Sequence, residues 1–118
     1  MITNFEEITA NLTQEEKLLL VTITGIMRNL TKNKPMKSAQ IVERINKQIY
    51  KTSDVKFTGI KLRKFCNYIR SKSLLPIIAT SNGYYVSYDK TEIALQIESL
   101  EQRSEAILNS VNGLKFYL

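Results

Sequence analysis

The chain has 118 residues, enough for one domain with a real core and too few to expect two. Its apolar share of 43% and charged share of 24% are ordinary for a soluble protein, and no apolar run nears the roughly 18 residues of a membrane span. Histidine is absent and there is one cysteine, Cys66, so the commonest general base, an internal disulfide and a cysteine–histidine zinc set are all excluded.

The net charge of +6 is unevenly spread. Residues 31–72 hold twelve Lys or Arg against Glu43 and Asp54, a local +10, whereas residues 1–30 and 73–118 each come to −2. A basic block of this kind is the footprint of a phosphate-binding face; a lysine-rich solvated surface is the plainer alternative.

In chain order, residues 1–12 read as an N-terminal arm whose Phe5 and Ile8 dock on the body. The arm is acidic and lacks a basic leader, so a cytoplasmic location is expected. Thr13 and Glu16 have the spacing of a capping box, which predicts a helix over about 14–30. That helix shows Leu18, Val21, Gly25 and Met27 among apolar neighbours and should lie centrally. Asn33 and Pro35 end it, and Ser38 can cap a second helix to about Tyr50, with Ile41, Val42, Ile45 and Ile49 on one face. In a polar connector over 51–58 either the second helix runs on for an extra turn or a short strand forms at 55–57, and it leads to a third helix capped by Thr58, or by Ser53 and Asp54 if it starts early.

In the third helix Leu62, Phe65, Cys66 and Ile69 recur at i, i+3, i+4 and i+7, the spacing of one buried face. Cys66 on that face reads as core filler. Ile60, Arg63, Lys64, Asn67 and Ser71 fall on the other side. Two short apolar runs then flank Ser81-Asn82-Gly83, a hairpin signal in which Asn-Gly is expected to supply the positive φ angles. Tyr84 and Val86 share one strand face and Tyr85 the other, and the tyrosine toward the third helix should be core. A last helix begins at Asp89 or Thr91 and is expected to end at Asn112-Gly113. Its stripe, Ile93, Ile97, Leu100, Ile107, Val111 and Leu114, keeps an a/d spacing interrupted at Ser104. The stripe suits packing on the chain's own first helix or a homodimer.

No phosphate loop, dinucleotide fingerprint or nucleophile elbow occurs, and the carboxylates read as a solvated face, so no enzyme, cofactor or small-molecule substrate is expected. The basic third helix offers base contacts from Ile60 (to a thymine methyl), Arg63, Lys64 and Asn67. Phosphate contacts fall to Lys56, Thr58, Lys61, Arg70, Ser71 and Lys72, and the wing to Ser81, Asn82 and Tyr84.

The run Leu62–Arg70, then Leu75–Tyr85 with its "GYY", then Ser99-Leu-Glu-Gln-Arg103 with Ala106-Ile107, resembles small winged helix-turn-helix proteins of phages and mobile elements. The likeness covers about the C-terminal half. It implies a regulatory or replication-associated double-stranded DNA-binding protein with no catalytic residue. The expected fold is α+β, mainly α: about four helices and one hairpin wing, with a domain over 13–88 and a C-terminal helix over 89–118. The rival function is a protein-interaction adaptor that keeps this fold without DNA affinity.

Overall fold

A computed structural model describes residues 11–49 and 57–118, with Ile49 described by its backbone alone. The expectations for Phe5 and Ile8, for Val55 and Lys56, and for a cap at Ser53 and Asp54 lie outside the described residues, and Phe57, the last residue of the expected short strand, is not in a strand. The chain divides into two compact units, residues 1–87 and 88–118.

The first unit contains α1 (Gln14–Arg28), α2 (Ser38–Ile49), α3 (Gly59–Ser71), β1 (Ile77–Thr80) and β2 (Gly83–Val86). The second is α4 (Lys90–Lys115). This is a mainly helical α+β fold in winged-helix order. α1 and α2 both touch α3 or the hairpin, and α3 touches β1.

Local chemistry sets the helix starts. The Thr13 hydroxyl accepts the Glu16 amide at 3.1 Å while the Glu16 carboxylate accepts the Thr13 amide at 2.9 Å, a complete capping box. Thr58 caps α3 by accepting the Lys61 amide at 3.3 Å, and Asp89 caps α4 by accepting the Glu92 amide at 3.0 Å. Ser38 does not cap α2. It is the first helical residue, and the Gln40 side chain accepts the Lys37 amide instead at 3.1 Å.

Ends are less legible. α3 stops with Ser73 at φ 55°, the Ser73 amide donating to Arg70 and the Leu74 amide to Ile69, a Schellman pair. α4 does not stop at Asn112-Gly113; it passes through Gly113 and ends at Lys115. Beyond the helix's own backbone and the adjoining residues, no heavy atom lies within 4 Å of where a Gly113 Cβ would sit, so no close approach requires glycine there.

The core takes Ile23, Met27 and Leu30 from the α1 segment, Ile41 and Ile45 from α2, and Leu62, Phe65, Cys66 and Ile69 from α3. Phe57 stacks at a tilt on Phe65, centroids 5.7 Å apart. The Asn46 side chain holds Phe57 there, accepting its amide at 2.7 Å and donating to its carbonyl at 3.0 Å. The central position expected for α1 needs correction. Leu18 and Val21 are 81% and 79% exposed, because the face running through Glu16, Ile23, Met27 and Leu30 turns inward and carries them outward.

The hairpin pairs Ile77 with Val86, Ile78 with Tyr85, Ala79 with Tyr84 and Thr80 with Gly83. Ser81 and Asn82 link the strands. Only Gly83, at φ 126°, has the positive φ expected of Asn82 as well. Gly83 is required for a second reason: a Cβ there would lie 2.6 Å from the Met36 carbonyl oxygen. Met36 pairs with Tyr84 from outside the hairpin, through bonds of 3.1 and 2.8 Å, and the Val86 amide donates to Leu30. A lone two-stranded ribbon is marginal, and these bonds tie it to the loop between α1 and α2.

Candidate nucleic-acid interface

α3 presents its outward face as the buried stripe dictates. With Leu62, Phe65, Cys66 and Ile69 inside, Arg63 and Asn67 stand exposed one turn apart. Ile60 is half-buried, Ser71 and Lys72 are exposed at the helix end, and the Lys72 ammonium lies 5.8 Å from the Tyr68 ring centroid. At the wing, Ser81 and Asn82 are exposed and Tyr84 is half-buried. Tyr85 is the tyrosine that enters the core, and the Thr80 hydroxyl braces the turn by accepting the Asn82 amide at 3.2 Å.

Lys64 is not on the outward face. It is 7% exposed, and its ammonium donates to the Glu16 carboxylate at 2.8 Å. As placed it cannot reach a DNA base, and the reason is a partner on α1 that draws it inward. Lys61 shares that partner, 3.7 Å from the other Glu16 oxygen and partly exposed. Glu16 is therefore no solvated carboxylate. Burial alone would raise its pKa, but the Lys64 hydrogen bond, the Thr13 amide and the charges of Lys64 and Lys61 outweigh that and hold it below the ordinary value of 4.5.

The phosphate set is likewise partly engaged. The Arg70 Nε donates to the Ile77 carbonyl at 3.0 Å, so this half-buried side chain ties α3 to β1. The Thr58 hydroxyl serves as the α3 cap and the Ser71 hydroxyl donates to the Tyr68 carbonyl. Arg44 and Lys47, unassigned from the sequence, are exposed on α2, Lys47 paired with Glu43 at 3.1 Å. The signal was available, since both fall outside the Ile41/Ile45 stripe.

The chain matches no protein-family model, no curated protein and no solved structure. The site's character therefore rests on its own geometry. Cys66 is buried, its thiol pushed up to about 12 by burial, and so is protonated at neutral pH. Among the described residues no group of three or more His, Cys, Asp or Glu side chains could hold a metal ion, and no helix is long and apolar enough to cross a membrane.

Proposed function

We propose that this chain is a non-enzymatic, cytoplasmic, double-stranded DNA-binding protein of the regulatory or replication-associated kind, with α3 in the major groove and the hairpin as a wing along the backbone. The observation that carries the reading is the exposed pair Arg63 and Asn67 on the helix that leads into the wing, within the +10 segment. Arginine reads guanine and asparagine reads adenine by paired hydrogen bonds, and helix residues one turn apart can address neighbouring base steps. Lys72 and the α2 cations Arg44 and Lys47 supply sequence-independent phosphate neutralisation. Ile60, half-buried at the start of α3, can meet a thymine methyl.

A salt-titrated gel shift on random duplex tests the reading. Affinity that falls steeply with salt supports it, and no binding at low salt leaves the fold as a protein-interaction adaptor.

A further inference from the structure

We infer that α4 pairs with α4 of a second copy of this chain to form a two-helix coiled coil. The helix runs 26 residues without burying one of them, and Ile97, Ile107, Val111 and Leu114 stand exposed along it. With Leu100 they recur at alternating spacings of three and four through Ser104, the seam of a coiled coil. Continuation of the helix through Gly113 puts Leu114 on that seam, which a stop at Asn112 would have removed.

Length selects the occupant. At 1.5 Å per residue the seam from Ile97 to Leu114 runs about 26 Å, whereas α1, the longest other described helix with 15 residues, spans about 22 Å. No other described helix can cover the seam from end to end, and a second α4 matches it residue for residue. The flanking positions, Gln96, Glu101, Arg103, Leu108, Ser110 and Lys115, hold two positive charges and one negative, so two copies meet no wall of like charge. A lipid surface is the poorer match, because Glu92, Glu98, Glu101 and Glu105 offset Lys90, Arg103 and Lys115 to leave α4 at −1, where anionic membranes select a surplus of lysine and arginine. A seam of this length closed by two copies covers on the order of 1,000 Å², the threshold that a specific interface should clear.

Sedimentation equilibrium of the full chain without nucleic acid, from about 1 to 100 µM, tests the pairing apart from the DNA reading. A dimer is expected. Ile107→Glu should weaken it by at least about 30-fold while the circular dichroism of the folded chain persists. Ser104→Ile fills the one polar seam position and should tighten the dimer at least about tenfold, a readout that stands even if Ile107→Glu unfolds. A wild type that is monomeric throughout, an unweakened Ile107→Glu dimer, or a Ser104→Ile dimer no tighter than wild type overturns the inference.

Discussion

The Lys64 ammonium of α3 lies 2.8 Å from the Glu16 carboxylate of α1, across 48 residues of sequence, with both side chains 9% exposed. Glu16 also closes the α1 capping box, so one carboxylate starts a helix and fixes another against it. The pair is a constraint on the angle at which α3 shows Arg63 and Asn67.

Removing one partner strands the other. Lys64→Met should cost about 2–4 kcal/mol in urea unfolding, softened because Lys61 remains near Glu16. Glu16→Ala should cost about 1 kcal/mol more, since it also opens the capping box. Where Lys64→Met is folded, its DNA affinity should show the wild-type salt slope. A slope shallower by about 0.9 would mean that Lys64 leaves Glu16 and neutralises a phosphate on DNA.

The Glu16 pKa is lowered on folding, so its contribution to stability is present in full above the unfolded value near 4.5. That contribution is lost as pH falls through the still lower folded value. Comparing urea midpoints of wild type and Glu16→Gln from neutral to acid pH reads this directly. The gap should be widest at neutral pH and close in acid; a gap that stays constant would assign the difference to something other than ionisation.

Two backbone positions have opposite expectations. Gly83→Ala forces a Cβ against the Met36 carbonyl at a φ that alanine disfavours, and should destabilise by about 2–3 kcal/mol. Ser73→Gly relieves a left-handed serine at the end of α3 and should stabilise by about 0.5–1 kcal/mol. Thermal unfolding of both variants checks the signs.

On DNA, neutralising about three to five phosphates should give a log–log salt slope of roughly −3 to −5. Arg63→Ala and Asn67→Ala should each relax sequence preference by about 1–3 kcal/mol at one base position, while Lys72→Ala weakens all sequences alike. Binding selections on random duplex separate the two behaviours. An Asn67→Ala protein that keeps the wild-type preferred site would remove α3 as the base reader.

What could be read from the chain alone was chemistry acting over a few residues. The Thr13/Glu16 box, the caps at Thr58 and Asp89, the stripe from Leu62 to Ile69 and the hairpin around Ser81-Asn82-Gly83 all follow from neighbours within one or two turns, where spacing dictates contact. The tertiary structure decided what depends on distant partners. Lys64 sits at the border of the α3 stripe, where helical spacing permits either side, and the charge that draws it inward comes from α1. Leu18 and Val21 are as apolar as Ile23 and Met27, but only one side of α1 can face α3 and the hairpin, so they remain in water. The Met36–Tyr84 pairing was hidden for the same reason: any extended residue can offer its amide and carbonyl, and which one does is settled by where the rest of the chain places the strand edge.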